Sequence, residues 1–307
     1  MSTHPKIVVV GSLNVDHTLR VRRLPAAGET LRASGAHSCF GGKGANQALA
    51  AARAGGEVAL IGCVGGDAFG DRYLQYLRDE GIRTDGITKV AAPTGSAFIA
   101  VDDAGENTIL FNPGANDALE PQHLDSHASL IRSAAVLLLQ LECPWSTILH
   151  AARMAVASGV PIILNPSPLS PEFIATGLPC DTLIVNEHEA TMLSATTLDE
   201  LEAQPRRALE RMHCRQLIVT RGGNPTLALT AERAFRVAPP RVTPVDTVGA
   251  GDAFAGAFAV ALAGGEELTQ AVRFANAAGA LATQRIGAQS SIPDRDAIVR
   301  LASSYQA

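Results

Sequence analysis

Asp246-Thr-Val-Gly-Ala-Gly-Asp252, followed directly by the apolar run of residues 253–262, is the stretch around which the rest of the chain is organised. Gly249, Ala250 and Gly251 lead into a helical pattern, so free backbone N–H groups are expected at a helix N-terminus. The helix dipole favours an anion there. Asp252 would lie beside a bound phosphate, where a carboxylate can deprotonate an acceptor hydroxyl. The alternative is that Asp252 only caps the helix and the glycines only allow a tight turn.

The composition limits the classes of protein that fit. The chain has 307 residues, 47% of them hydrophobic and 18% charged, as expected for one large globular domain over 1–307. A net charge of −5 without a basic cluster argues against nucleic-acid binding. No apolar run is long enough to span a bilayer, and no signal peptide is recognisable, so no membrane partner is expected. Five scattered cysteines without Cys-x-x-Cys predict buried thiols, neither a disulfide nor a zinc site, and a cytoplasmic location.

Strand-like and helix-like segments alternate along most of the chain. This alternation predicts an α/β fold, a Rossmann-like parallel sheet with helices on both faces. The predicted strands are 7–10, 58–63, 136–139, 162–164, 183–185 and 217–220, and the predicted helices are 44–54, 67–80, 146–158, 187–193, 205–213, 268–283 and 294–304.

The alternation of strands and helices is interrupted in two places, where short β segments occur instead of helices. Residues 94–101 and 107–112 flank Asp102-Asp-Ala-Gly105, a good hairpin turn. Together with segments 18–23 and 30–38, they predict a small sheet outside the main body.

Polar residues directly follow four of the predicted strands, at the sheet edge where parallel sheets bind ligands. They are Asn14 and Asp16, then Glu142, then Asn186 and Glu189, then Thr220 and Gly222. Each group has a structural alternative: turn formation for the first pair, an exposed surface acid for Glu142, and a capping box for Asn186 and Glu189. Four such groups at one edge favour a ligand site.

A second glycine-rich stretch is Phe40-Gly-Gly-Lys-Gly-Ala-Asn46-Gln-Ala. It is not a P-loop, because Gly44 follows Lys43 and the upstream glycine spacing is wrong, and no dinucleotide-binding G-x-G-x-x-G occurs at the Asp252 turn. The stretch favours close backbone approach to a small polyol, with Lys43 and Asn46 as donors to its hydroxyls. Its alternative is a glycine-rich helix start with a solvated lysine.

These motifs resemble those of the ribokinase-like carbohydrate kinase family, from about Lys6 to the end of the chain. The resemblance rests on Gly11-Ser-Leu-Asn-Val-Asp16, Pro25-x-x-Gly28-Glu-Thr30, Gly41-Gly-Lys-Gly-Ala-Asn46-Gln, Asn186-x-x-Glu189, the Asp246–Asp252 motif and Gly287-Ala-Gln-Ser-Ser291. It implies ATP-dependent phosphorylation of D-ribose at O5 to give ribose 5-phosphate. Two alternatives stay open: a related kinase for 2-deoxyribose, fructose or a nucleoside, and a non-catalytic sugar-binding regulator on the same fold.

The resemblance also implies a role for each matching residue. Asp252 would be the general base, and the amides of Gly249, Ala250 and Gly251 would form the anion hole for the transferring phosphoryl group. Asn14, Asp16, Gly42, Lys43, Asn46 and Glu142 would hold the sugar. Asn186, Thr220, Gly222, Gly251 and Asn276 would line the ATP site, and Glu189 would orient the water shell of Mg²⁺. Asp246, Val248, Ala282, Arg285, Gly287 and Ser291 match loops that bind K⁺, mostly through backbone carbonyls.

The small sheet, over about residues 17–40 and 93–113, would be a lid over the sugar and the contact of a homodimer. The sequence departs from the family pattern at the nucleotide loop, where Pro225 replaces an expected third glycine. Two roles are open for the neighbouring Arg221, contact with a phosphate or simple solvation, of which solvation is favoured.

Overall fold

A nine-stranded sheet forms the centre of the molecule in the computed structural model, which describes residues 4–305. In spatial order the strands are β5 (Ile87–Val90), β4 (Glu57–Gly65), β1 (Lys6–Val10), β8 (Val136–Leu139), β9 (Ile162–Leu164), β10 (Cys180–Asn186), β11 (Cys214–Thr220), β12 (Thr226–Leu229) and β13 (Ala234–Val237). Neighbours from β5 to β11 are parallel, whereas β12 and β13 are antiparallel.

Helices cover both faces of this sheet, and β1 shows why its strands are apolar without alternation. Ile7 and Val9 enter the core on one face, and Val8 and Val10 enter the core on the other. The first face carries α1 (Lys43–Arg53), α2 (Ala68–Asp79), α10 (Ala250–Ala263), α11 (Leu268–Ala282), α12 (Ala288–Ser291) and α13 (Arg295–Ser304). The second carries α3 (Pro121–Ser126), α4 (Ala128–Arg132), α5 (Trp145–Ala157), α6 (Pro171–Thr176), α7 (Glu187–Ser194), α8 (Leu198–Ala203) and α9 (Pro205–Arg211).

A separate four-stranded sheet forms the lid. Its spatial order is β3 (Gly35–Gly41), β2 (Asn14–Arg20), β6 (Gly95–Val101) and β7 (Asn107–Asn112). The β2–β6 pair is parallel and the other two pairs are antiparallel. A short 3₁₀ helix, Gly114–Ala118, follows the lid. The lid leaves the main body at Asn14 and returns at Gly41, beside the start of α1.

The predicted α/β alternation is confirmed, with strand bounds that differ by at most three residues. Two details of the lid prediction are wrong. Its first strand begins at Asn14 instead of residue 18, so Asn14 and Asp16 lie on a lid strand and not in a turn; its second begins at Gly35 instead of residue 30. The sequence analysis also missed β5, β12 and β13, because these short segments, unlike β8 and β9, are not continuous runs of large aliphatic residues.

The described cysteines are all free thiols, as predicted, but only four of the five are buried. Cys39 is half-buried because it lies on a lid strand instead of in the main core. Within residues 4–305, every helix falls short of the length and apolarity that crossing a membrane requires.

Candidate active site

A cleft of about 1020 Å³ lies between the lid and the edge of the main sheet formed by the strands' carboxyl ends. Its walls include every residue predicted to hold the sugar: Asn14, Asp16, Gly42, Lys43, Asn46, Glu142 and Asp252. Asp246, Val248, Gly249 and Gly287 also line it. The residues predicted for the adenine and Mg²⁺ side, Asn186, Glu189, Thr220, Gly222 and Asn276, lie outside this cavity.

Asp252 is buried in the first turn of α10, with 6% of its surface exposed. Gly249 precedes this helix with a φ of 78°, and a Cβ atom there would approach the Cα of Ala288 to 2.9 Å, so glycine is required. The Asn46 Nδ2 donates to Asp252 Oδ2 at 2.9 Å, and Gln47 Nε2 donates to Asp252 Oδ1 at 2.9 Å. The two glycine-rich motifs therefore meet at this carboxylate.

A chain of side-chain amides fixes the orientation of Gln47. Its Nε2 also donates to Asn165 Oδ1 at 3.0 Å, and its Oε1 accepts from Gln140 Nε2 at 2.6 Å. Gln47 and Gln140 are buried. The sequence analysis assigned no role to Gln47, Gln140 or Asn165, because these contacts join residues about a hundred positions apart. Only the position of Gln47 inside a glycine-rich motif pointed toward the site.

The turn before α10 leaves two of the three predicted anion-hole amides open. The N–H groups of Gly249 and Gly251 donate to none of the described residues, whereas Ala250 N contacts Thr247 O at 3.2 Å. A Cβ atom at Gly251 would meet nothing within 4 Å, so the approach to its amide is unobstructed. This turn offers N–H groups at a helix N-terminus, the arrangement that binds phosphate.

Glu142 is tied to the start of α1 and is not the exposed surface acid of the alternative interpretation. One of its oxygens, Oε2, accepts from Ser12 Oγ at 2.5 Å and from Lys43 N at 2.9 Å. Ser12 Oγ in turn accepts from Gly44 N at 3.3 Å. These bonds leave the second carboxylate oxygen, Oε1, for a ligand.

Asn14 is held by Asn116, a residue that the sequence analysis missed. Asn116 is fully buried; its Nδ2 donates to Asn14 Oδ1 at 2.8 Å and its Oδ1 accepts from Leu13 N at 2.9 Å. Because the side-chain oxygen of Asn14 already accepts a hydrogen bond from Asn116, the NH₂ group of Asn14 remains to donate to a ligand. The sequence around Asn116, including Pro113 and Gly114, does not indicate a contact with a residue 102 positions away.

Asp16 lies on β2 with its carboxylate against Gly41, where a Cβ atom would come within 2.2 Å of Asp16 Oδ2. Burial, together with the smaller effect of the nearby charges of Glu142 and Asp252, raises the pKa of Asp16 to about 6. Three carboxylates therefore face one cleft. Hydroxyl groups are suitable donors to such a cluster.

Three of the residues predicted for the nucleotide and Mg²⁺ side make structural contacts. Asn186 Oδ1 accepts from Glu189 N at 2.8 Å, and Asn186 N donates to Glu189 Oε2 at 2.9 Å, which is the capping box of the alternative interpretation. Asn276 is buried, accepting from Thr226 Oγ1 at 2.7 Å and donating to Val237 O at 3.2 Å. It thereby joins α11 to the antiparallel edge of the sheet.

The loop after β11 is open, but Arg221 is not solvated as expected. Gly222 has a φ of 58° and is exposed, with nothing within 4 Å of the position a Cβ would take. Thr220 Oγ1 donates to Val185 O at 3.3 Å. The side chain of Arg221 is only 17% exposed and pairs with Glu187 at 3.3 Å, because it folds back onto the first residue of α7.

The residues predicted to bind K⁺ lie in the turn before α10 and in the segment from the end of α11, at Ala282, to the end of α12, at Ser291. Asp246 joins the two predicted K⁺ loops: Oδ1 accepts from Val248 N at 3.0 Å and Oδ2 from Gly287 N at 2.8 Å. The carbonyl oxygens of Asp246 and Val248 accept no hydrogen bond from the described residues, which suits a monovalent cation. Glu189 keeps one carboxylate oxygen, Oε1, free of the capping box, as water-mediated Mg²⁺ binding requires.

Known proteins of similar sequence and structure are carbohydrate kinases. The pfkB family carbohydrate kinase model matches residues 4–295. Ribokinase of Schizosaccharomyces pombe is 37% identical over 303 residues, covering 94% of this chain and 94% of that protein. Deoxyribokinase of Salmonella typhi is 35% identical over 292 residues, covering 94% and 95% respectively. The structure of Arabidopsis thaliana ribokinase complexed with ribose and ATP matches with a TM-score of 0.89 at 32% identity, covering 97% and 99%.

Proposed function

This chain belongs to the pfkB family of carbohydrate kinases, and we propose that it transfers the γ-phosphoryl group of ATP to O5 of D-ribose. The observation that carries this proposal is the 2.9 Å hydrogen bond from Asn46 Nδ2 to Asp252 Oδ2. It places the predicted sugar-binding motif in direct contact with a carboxylate at a helix N-terminus. A ribokinase with ribose and ATP bound shares the fold over nearly the whole chain.

Asp252 acts as the general base that takes the proton from the ribose 5-hydroxyl as that oxygen attacks phosphorus. Its oxygens each accept one amide hydrogen, which fixes the carboxylate and leaves lone pairs for the proton. The open amides of Gly249 and Gly251 stabilise the negative charge of the transferring group. Ala250 contributes its amide if the 3.2 Å contact with Thr247 O is exchanged for the phosphoryl oxygens.

The sugar is held by the polar atoms that the protein's own contacts leave unused. These are the NH₂ group of Asn14, the carboxylate of Asp16, Lys43 Nζ, Glu142 Oε1 and Asn46 Oδ1. Asn46 Oδ1 is buried without a hydrogen-bond partner among the described residues. A buried amide oxygen is costly without a donor, so a sugar hydroxyl is the expected partner.

The nucleotide lies across the ends of β10 and β11, with Thr220 and Gly222 near its phosphates and Asn186 and Asn276 along the site. Glu189 holds the water shell of Mg²⁺, which neutralises phosphate charge when bound. The loops of Asp246, Val248, Ala282, Arg285, Gly287 and Ser291 would hold K⁺, mostly through backbone carbonyl oxygens. The Asp246 carboxylate keeps these two loops together and so shapes the turn at Gly249.

The lid is the proposed contact of a homodimer. Its inner face lines the cleft through Ile99 and Ile109, whereas its outer face exposes Phe98 and Leu110, register partners that are 50% and 68% exposed. An apolar patch of this kind is suited to a second copy. Substituting Leu110 by glutamate would yield a monomer in analytical ultracentrifugation. The free cysteines support a cytoplasmic location.

Asp252→Asn tests the catalytic assignment. The substitution removes the base but preserves the shape. Rotation of the Asn46 amide would present its Oδ1 to the new NH₂ group and its own NH₂ group to the sugar hydroxyl, which can accept as well as donate. We expect kcat to fall about 10²–10⁴-fold, with the ribose Kd changed less than about threefold. Asp117→Asn, the same change at another carboxylate lining the cleft, should leave kcat within about threefold. Near wild-type turnover in Asp252→Asn would refute the mechanism.

The second candidate substrate is 2-deoxyribose, because a deoxyribokinase is 35% identical to this chain over nearly its whole length. The phosphoryl-transfer residues would be shared, so only contacts to the 2-hydroxyl separate the two substrates. A ratio of kcat/KM values for ribose and 2-deoxyribose above about tenfold favours ribose.

A further inference from the structure

One buried hydroxyl joins the lid to the proposed K⁺ loop. Tyr73 on α2 is fully buried; its hydroxyl donates to Gly41 O at 2.5 Å and accepts from Gln289 Nε2 at 2.6 Å. Its ring stacks on Phe40, with centroids 4.2 Å apart. The two partners of the hydroxyl belong to separate parts of the site.

At the first partner, the lid ends and α1 begins. Gly41 is the last residue of β3, and it precedes Gly42 and Lys43, which line the sugar cleft. Lys43 N is bound by Glu142 at 2.9 Å. A shift of the Gly41 carbonyl would therefore move groups that are proposed to contact ribose.

The second partner lies in α12, directly after Gly287. The Gly287 N–H donates to Asp246 Oδ2, and the other Asp246 oxygen accepts from Val248 N, next to the turn at Gly249. Arg53 Nη1 holds α12 through Gln289 O at 3.1 Å. The side-chain oxygen of Gln289 is buried without a partner among the described residues, so Tyr73 is the only described group that holds this amide.

We propose that Tyr73 is a positioning residue that couples the K⁺ loop to ribose affinity. The inference rests on the proposed function. Through Gln289 and Gly41, the hydroxyl transmits the arrangement of residues 246–249 and 287–291 to the sugar-binding turn. Coupling of this kind is reciprocal: K⁺ tightens ribose binding and ribose tightens K⁺ binding by the same factor. If Tyr73 only filled the core, its hydroxyl would still form hydrogen bonds, but ribose affinity would not depend on K⁺ through Tyr73.

The test measures the ribose Kd by titration calorimetry in KCl and in an equal concentration of the chloride of a large organic cation. We expect K⁺ to tighten ribose binding about fivefold or more in the wild type. In Tyr73→Phe, which retains the ring stack, this ratio should fall to near one. The kcat at saturating ribose and K⁺ should stay within about threefold, because the reacting groups are unchanged.

Gln289→Leu breaks the same link from the other side, and it should abolish the K⁺ effect even if Tyr73→Phe fails to fold. The double variant should add nothing to either single change. Tyr305→Phe is the control, because it removes a tyrosine hydroxyl that donates to Arg273 O at 2.8 Å, and the described contacts join Tyr305 to neither Gly41 nor Gln289. It should keep the wild-type ratio.

A wild-type K⁺ effect in Tyr73→Phe and Gln289→Leu would overturn the inference, as would a wild-type ribose Kd that is independent of K⁺. A protein with K⁺-coupled ribose binding but no phosphoryl transfer would retain the inference and overturn the proposed function. The two failures are therefore distinguishable.

Discussion

On the predicted sugar side of the cleft, hydrogen bonds join side chains that are more than a hundred positions apart in the sequence. On the predicted nucleotide side, the hydrogen-bonded residues are closer together in the sequence. Asn46 and Asp252 are 206 positions apart, and Asn14 and Asn116 are 102 apart. Asn186 and Glu189 are three apart, within one capping box. The sugar side is thus assembled only when the whole fold forms, while the Asn186–Glu189 box depends on one helix terminus.

This difference determines what a substitution does. A change on the sugar side acts through partners and through close backbone contacts, so it should affect the fold as well as the ligand. A side chain added at Gly223 in the open nucleotide loop would meet no neighbouring atoms and should affect the fold little.

The largest expected effect comes from Gly44→Ala. Gly44 lies at the start of α1, where a Cβ atom would come within 2.5 Å of the carbonyl carbon of Gly11 and of Ser12 N. Backbone atoms on both sides cannot move aside, so we expect the free energy of unfolding to fall by about 3 kcal/mol or more. Urea denaturation measures this. A loss below about 1 kcal/mol would contradict the close packing described for the sugar side.

Asn116→Ala should cost less stability but weaken sugar binding. It leaves Asn14 Oδ1 and Leu13 N without their partner, so the Asn14 amide is free to turn away from the cleft. We expect the ribose KM to rise about 10–100-fold, a loss of about 1.4–2.7 kcal/mol, with kcat reduced much less. Steady-state kinetics at saturating ATP test this. An unchanged ribose KM would show that the Asn14–Asn116 contact does not position the sugar site.

Asp16→Asn should raise the stability of the fold at about pH 8 and lower its affinity for ribose. The raised pKa, about 6, means that the folded protein binds more protons than the unfolded chain between about pH 4 and pH 6. The stability contributed by this group therefore falls as the pH rises through that window and stays low above it. At about pH 8 the asparagine variant should be more stable than wild type by about 1–3 kcal/mol.

Near pH 4 the stability advantage of Asp16→Asn should vanish, and at both pH values ribose binding should be weaker because a hydroxyl acceptor is lost. Urea midpoints across the pH range provide the measurement. A variant less stable than wild type at about pH 8 would contradict the raised pKa of Asp16 beside Glu142 and Asp252.

The smallest effect belongs to Gly223→Ala on the nucleotide side. No atom lies within 4 Å of the added Cβ, and the φ of Gly223 is outside the range that favours glycine. We expect the free energy of unfolding to change by less than about 0.5 kcal/mol, on the stabilising side, because the unfolded chain loses freedom. Both variants are measured in the same urea denaturation series. A fall in the free energy of unfolding of Gly223→Ala as large as that of Gly44→Ala would contradict the difference between the sugar side and the nucleotide side.

Much of the fold follows from local sequence, and the limits are physical. Apolar runs such as residues 136–139 and 162–164 identify buried parallel strands with their correct bounds. The strands β12 and β13 were missed because their short sequences mix large apolar residues with threonine, alanine and arginine and so fit several structures equally well. Asn186 and Glu189 were recognised as a potential capping box because the spacing is local.

The site was only partly predictable for the same reason. The sequence points to Asp252, Asn46 and Glu142 because they stand in glycine motifs or near strand ends, and the structure brings these three residues to one cleft. Asn116, Gln140 and Asn165 orient other residues through contacts that exist only in the folded chain. The residues next to them in the sequence do not indicate such distant partners. In the same way, the sequence did not predict the ion pair between Arg221 and Glu187, which are 34 positions apart.

The most direct test of the central claim is to incubate the protein with ATP, Mg²⁺ and K⁺ and one sugar at a time, ribose, 2-deoxyribose, fructose or adenosine, and to identify the products by phosphorus NMR. We predict one ADP and one ribose 5-phosphate per turnover, with ribose preferred and with lower rates when a large organic cation replaces K⁺. ADP release with another sugar as the preferred acceptor, or no transfer to any of them, would contradict the assignment.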